Sequence, residues 1–249
     1  WHLLGSLKKP IAYAAVAGEK SLHYAAGGTD GISLHSSLIT LGPSLQNSEI
    51  EIITSQARIY AGAALIDGAF YQVGGSTNLS PLIPSTDISK FEHGSWSSVG
   101  HLPESPLINP AVATWKNSIF VAGGGIPKAD GLKNTDSVFL FDTTERTWTK
   151  RADLPTPTRG SVAHSVPGLG VLVIGGYLGE NRFTSQVLLF DPRKNEFISL
   201  ANLPAGLLLP AVVAVENWIY VFGGEDEPRH RSRRVYRVAL PSLLQRRSE

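Results

Sequence analysis

Five diglycines recur along this chain: Gly27-Gly28, Gly74-Gly75, Gly123-Gly124, Gly175-Gly176 and Gly223-Gly224, at intervals of 47, 49, 52 and 48 residues. A near-constant period over the whole length means one structural unit made five times. Such units bury their apolar faces against their neighbours. Each pair ends a short apolar run: Leu22–Ala26, Ala69–Val73, Ser118–Ala122, Val171–Ile174 and Trp218–Phe222. Runs of this length read as strands buried on both faces. Glycine at their ends lets backbone approach closely and turn with positive φ.

The rest of each period supplies three more strands. An apolar run precedes the diglycine strand, as at Ser161–Val166 and Ala211–Val215. A third follows the diglycine loop at Ser137–Phe141, Gln186–Phe190 and Arg234–Ala239, with turn chemistry after it at Asp142 and Asp191-Pro192. A fourth begins at an aromatic, Trp96, Trp148 or Phe197, and a Leu-Pro follows six residues later, at Leu102, Leu154 and Leu203. Diglycine, spaced aromatic and Leu-Pro together resemble the kelch repeat, over nearly the whole chain. The resemblance implies an all-β fold: a kelch β-propeller of five four-stranded blades, a single domain over residues 1–249. Trp1–Leu7 has the Trp-to-Leu spacing of a fourth strand, and the final repeat lacks one. Trp1–Leu7 is therefore expected to complete the C-terminal blade. The first repeat is the most divergent, with Ile50–Ile53 in place of an aromatic fourth strand.

Composition narrows the chemistry. With 42% hydrophobic and 17% charged residues the chain can bury a large core. It has no cysteine, which excludes disulfides, thiolate metal sites and cysteine nucleophiles. A net charge of +1 gives no electrostatic footprint for nucleic acid. The longest apolar run, Gly206–Val215, is too short for a membrane span. The seven histidines have no metal-ligand spacing, and there is no nucleophile elbow or phosphate-binding glycine loop. No metal or organic cofactor is expected.

In a four-stranded meander, the post-diglycine loops and the loops leading into each repeat lie on one face. Function is expected there, where residues break the repeat. The candidate ligand-binding residues are Arg58, Asn109 and Arg159 on the lead-in loops, with Tyr177 and Arg182 after the fourth diglycine. The last diglycine loop, Gly224–Ser232, carries the most distinctive chemistry. Its Gly-Glu-x-x-Pro-x-x-Arg pattern, Gly224 to Arg231, resembles that of bacterial kelch-type sialic acid mutarotases (N-acetylneuraminate epimerases). That resemblance implies a cofactor-independent isomerase with Glu225 and Arg231 as catalytic pair, and it favours a periplasmic or secreted location. A carboxylate can move the anomeric proton, and an arginine fork can hold the sugar's own carboxylate. Tyr177 would stack on the sugar. The expected ligand is then a small sugar or glycan. Two alternatives stay open: a non-catalytic kelch propeller binding a protein or glycan through the same face, and a structural module of a larger protein. Fold alone does not choose among them.

Overall fold

The apolar runs that end in diglycine are the central strands of five sheets in the computed structural model, which describes residues 7, 9–19, 22–41, 48–50 and 57–245. The chain divides into two units, residues 1–109 and 110–249.

The first unit holds two sheets. In one, β1 (Ala15–Glu19), β2 (Leu22–Ala26), β3 (Leu38–Leu41) and β4 (Ser48–Ile50) lie in sequence order. In the other, β5 (Gly62–Ile66), β6 (Ala69–Val73), β7 (Asp87–Glu92) and β8 (Ser95–His101) do the same. All pairings are antiparallel. Their facing sides share a core in which Ala15, Ala26 and Leu38 meet Leu65, Phe70 and Phe91.

The second unit holds three sheets and three small ribbons. The first sheet is β9 (Ala111–Trp115), β10 (Ser118–Ala122), β13 (Val138–Asp142) and β14 (Thr147–Lys150), with the ribbon β11 (Gly125–Lys128) and β12 (Gly131–Asn134) between its second and third strands. The next is β15 (Val162–Val166), β16 (Gly170–Ile174), β19 (Val187–Asp191) and β20 (Glu196–Ser199), with the ribbon β17 (Tyr177–Gly179) and β18 (Arg182–Phe183). The last is β21 (Ala211–Val215), β22 (Trp218–Phe222) and β25 (Val235–Ala239), with the ribbon β23 (Glu225–Glu227) and β24 (His230–Arg231). Helix α1 (Leu240–Gln245) follows. Phe120, Ala122 and Val138 pack on Val171, Val173 and Phe190; the opposite face of that middle sheet packs Leu172 and Ile174 on Ile219 and Val221. Each sheet is thus a propeller blade, and the fold is all-β with five blades, as the repeat implies.

Two sequence signals acquire physical causes. The fourth-strand aromatics are cross-strand partners of third-strand phenylalanines: Phe91 with Trp96, Phe141 with Trp148 and Phe190 with Phe197. Their ring centroids lie 5.5, 4.9 and 5.0 Å apart. Aromatic pairs directly opposite each other stabilise a sheet by roughly 0.2–1 kcal/mol each. The diglycine joins one blade to the next. Gly28, Gly75, Gly124 and Gly176 each donate their N–H to a lead-in carbonyl of the following blade, on Arg58, Leu107, Thr158 and Leu207. The glycine before each of them lies so close to that same carbonyl that a Cβ would collide with it.

Three expectations meet the structure differently. Trp1–Leu7, the proposed closing strand, lies outside the described residues except for Leu7, and the last sheet has three strands among those described. In the first blade the fourth strand is Ser48–Ile50 rather than a segment starting at Ile50, and Glu51–Ile53 fall outside the described residues. Finally, β22 is not buried on both faces: Trp218 is 36% and Phe222 40% exposed. Alternation turns Ile219 and Val221 toward the middle blade and the aromatics to the other side, where the Arg237 guanidinium lies over the Trp218 ring at 4.5 Å.

One titration follows from this packing. Burial within β15 pushes the His164 imidazole below its ordinary 6.5. The unfolded chain then takes up the proton more readily than the folded one. The stabilisation is complete above about pH 6.5 and is lost as pH falls below it. Urea midpoints measured from pH 8 to pH 5 are expected to drop for the wild type and to drop less for His164→Leu; parallel curves would refute the assignment.

Candidate functional site

The second unit's ribbons are the local structures that could form a site. Each grows where the diglycine releases the chain from the central strand, and each turns back through two residues. In the β17–β18 ribbon these are Glu180 and Asn181, with φ of 52° and 58°. Positive φ at both central residues is the hairpin turn that matches strand twist. In the first unit the post-diglycine loops carry only isolated bridges, Thr29 with Leu34 and Ser76 with Pro84.

A cleft of about 690 Å³ opens between the β11–β12 and β17–β18 ribbons. Leu132, Lys133 and Asn134 line one side and Tyr177, Leu178 and Glu180 the other, with Pro157 and Arg159 between. Arg159 is half-buried at its centre. Its guanidinium lies 4.2 Å from the centroid of the Tyr177 ring. Nη1 donates to Asn134 Oδ1 at 2.6 Å and to the Leu132 carbonyl at 3.4 Å. Asn134 Nδ2 in turn donates to the Tyr177 carbonyl at 2.7 Å. Burial draws the Arg159 pKa down, and Tyr177 opposes that pull. Arg182 lines the rim and lies 3.7 Å from Glu180 Oε2.

Arg159, Tyr177 and Arg182 are therefore brought together in one cleft. Glu225 and Arg231 are also brought together, as direct partners across the β23–β24 ribbon, where Arg231 Nη1 donates to Glu225 Oε1. Glu225 Oε2 accepts the Arg229 N–H at 3.3 Å. That carboxylate is held on both oxygens by its own ribbon.

The remaining two candidates belong to the first unit. Arg58 is 1% exposed. Its Nη1 donates to the carbonyls of Gly74 and Asp87, and its Nη2 donates to Asp87 Oδ2 and to Ser89 Oγ. Asn109 has φ of 51° and donates its N–H to the Tyr60 carbonyl at 2.9 Å. Tyr13, Tyr60, Gly160 and Leu209 repeat that left-handed turn ahead of the other first strands, so Asn109 occupies a scaffold position.

Asn134 and Leu132 escaped the sequence reading because their loop reads as plain polar linker. A usable signal existed for Arg159. Ile59 and Leu208 form the bridges, to Ser76 and Glu225, that Arg159 forms to Tyr177. An arginine at a position otherwise aliphatic is a break in the repeat.

A match to a known family falls on the two blades that form the cleft. Residues 106–155 and 158–204 match the Kelch motif. These are kelch repeats. The kelch propeller is 28% identical over 162 residues to Kelch-like protein 35 of Mus musculus, covering 65% of this chain and 26% of that protein. It is 23% identical over 246 residues to beta-scruin of Limulus polyphemus, covering 93% of this chain and 27% of that protein. With the Kelch repeat and BTB domain-containing protein 1 of Cowpox virus it shares 27% identity over 242 residues, 95% of this chain and 42% of the viral protein. The chain thus spans about a quarter of the length of the first two relatives. Among the described residues no helix is long and apolar enough to cross a membrane, and no group of three or more His, Asp or Glu could hold a metal ion.

Proposed function

We propose that this kelch propeller is a non-catalytic binding module that takes a protein partner on the ribbon face of its second unit. The observation that carries the reading is the cleft between the β11–β12 and β17–β18 ribbons, where an arginine replaces an aliphatic scaffold residue. Its relatives named as Kelch-like and as Kelch-and-BTB proteins support the same class, since such proteins are typically protein-interaction scaffolds. Loops on a rigid blade scaffold are where binding residues gather.

The test is site-specific photo-crosslinking in cells. A benzophenone side chain at Leu178, within the cleft, is expected to capture a discrete polypeptide. The same probe at Glu145, on the turn at the other end of its blade, is expected to capture none. Equal capture at both positions would refute the assigned face.

A second reading, the sialic acid mutarotase, draws on the pairing of Glu225 with Arg231. A base takes the anomeric proton on a carboxylate oxygen, and at Glu225 a sugar hydroxyl would have to compete with Arg231 Nη1 and the Arg229 N–H, which already bond the two oxygens. Proton NMR of freshly dissolved sialic acid is therefore expected to show no faster anomer equilibration with the protein than without it. Acceleration that Glu225→Gln abolishes would restore the enzyme reading.

A further inference from the structure

Thr156 lines the cleft between two prolines, Pro155 and Pro157. Leu154 and Thr156 each precede a proline, which keeps such residues extended. The segment is fastened at its ends. Leu154 donates its N–H to the Asp136 carbonyl at 2.8 Å, and Thr158 donates its own to the Thr135 carbonyl at 3.3 Å. Both of these residues are buried. Between them neither proline has an N–H to give, and the Pro157 carbonyl takes a long bond, 3.4 Å, from Asn134 Nδ2. Among the described residues Thr156 makes no hydrogen bond through its backbone or its hydroxyl. Pro155 and Pro157 are exposed and Thr156 is half-buried. An extended strap that carries an unused hydroxyl can be taken into another enzyme's cleft without breaking a ladder of hydrogen bonds.

The charge around Thr156 suits an added phosphate. Lys133, Arg159 and Arg182 line the cleft against Asp130 and Glu180, which leaves one net positive charge. A phosphoryl group carries about two negative charges near pH 7 and pairs readily with such cations. The sign of the cleft would therefore turn over.

We propose that Thr156 is a phosphorylation site for a proline-directed protein kinase, and that its phosphate shuts the cleft to the partner. The kinase moves the γ-phosphoryl group of ATP to Thr156 Oγ1. A P–O bond forms there as the bond from the γ-phosphorus to the bridging oxygen breaks. The hydroxyl proton passes to the kinase's base, and ADP leaves. The enzyme must be proline-directed because Pro157 offers it no N–H. Control of the cleft rests on the reading of this face as a protein-binding surface; the modification itself does not.

The test incubates the folded chain with a cyclin-dependent kinase and ATP and locates the phosphate by tandem mass spectrometry. Phosphate is expected on Thr156 and in Thr156→Ser, and none at that position in Thr156→Val. The urea midpoint of Thr156→Val should stay at the wild-type value, since the hydroxyl has no bond to lose. No phosphate on Thr156 would overturn the site. In a phosphorus NMR titration, assigned by its loss in Thr156→Val, the second phosphate pKa is expected about 1 lower in the folded chain than in urea, because nearby cations favour the dianion. Equal values would overturn the pairing with the cleft. In a lysate, the probe at Leu178 is expected to capture its polypeptide on the unmodified chain and to lose it on the phosphorylated one. Undiminished capture would overturn the control. A probe that captures nothing on either chain would overturn the protein-binding reading and the control with it, while the mass spectrum and the titration still decide the site.

Discussion

Arg58→Met is expected to destabilise the first unit by roughly 3–5 kcal/mol, the cost of stripping one partner from a buried ion pair. Arg58 accepts the Gly28 N–H through its carbonyl. Its guanidinium then reaches Gly74 O at 3.0 Å, Asp87 O at 2.9 Å and Asp87 Oδ2 at 3.3 Å. One residue thereby fastens the first diglycine to the second and to β7. Methionine fills similar volume but satisfies none of these acceptors. Asp87 would keep only the hydroxyls of Ser89 and Ser98, with its side chain 18% exposed. Urea unfolding followed by tryptophan fluorescence measures the change, and Trp96 in the same blade reports on it directly. The thermal midpoint should fall on the order of 10 °C. Arg182→Met, at an exposed ribbon position, should stay within about 0.5 kcal/mol of wild type. Asp87→Asn added to Arg58→Met should recover part of the loss, because it removes the stranded charge. A loss for Arg58→Met no larger than that for Arg182→Met would show that the buried guanidinium network contributes nothing.

The case of Arg58 also shows where sequence reasoning stopped. Its loop composition marked it as a ligand candidate, yet its register marked it as core. Arg58, Leu107 and Leu207 each lie 16 residues ahead of the next diglycine, and Thr158 lies 17 ahead. All four are buried. Counting backward from the following diglycine, rather than forward from the preceding one, removes the variable loop lengths and exposes the shared position. The strands themselves were legible because diglycine, aromatic and Leu-Pro are each tied to a repeated contact. Leu102, Leu154 and Leu203, for instance, donate their N–H groups back to the lead-in of the third strand, at Thr86, Asp136 and Ser185. The ribbons were not legible. Two of the three turn on non-glycine residues with positive φ, Glu180 and Asn181 in one and Arg229 in another, and Glu180 and Arg229 are not turn residues by type. Of the seven site candidates, the pairing of Glu225 with Arg231 and the meeting of Arg159 with Tyr177 both depend on those ribbons.

Gly123→Ala and Gly223→Ala should differ sharply although both replace the first glycine of a diglycine. Their backbones are alike, with φ of 60° and 67°, so the strain of a left-handed alanine, roughly 1–2 kcal/mol, is common to both. Their surroundings are not. A Cβ on Gly123 would stand 2.5 Å from the Thr158 carbonyl oxygen, while one on Gly223 would meet nothing within 4 Å among the described residues. In the first case the lead-in backbone must retreat, and the 2.8 Å bond from Gly124 N–H to that same carbonyl weakens with it. Overpacking costs about 1–3 kcal/mol and the hydrogen bond about 1 more. Gly123→Ala should therefore lose about 2–4 kcal/mol beyond Gly223→Ala, read as the difference between their urea midpoints at constant slope. Equal losses would mean that these glycines are needed for their dihedral angle alone. The predicted inequality would instead make the diglycine a joint: its first residue yields space to the next blade's backbone, and its second bonds to it. On that account the period of the sequence is the period of the joints, and Gly223 keeps its conformation with no carbonyl against it among the described residues.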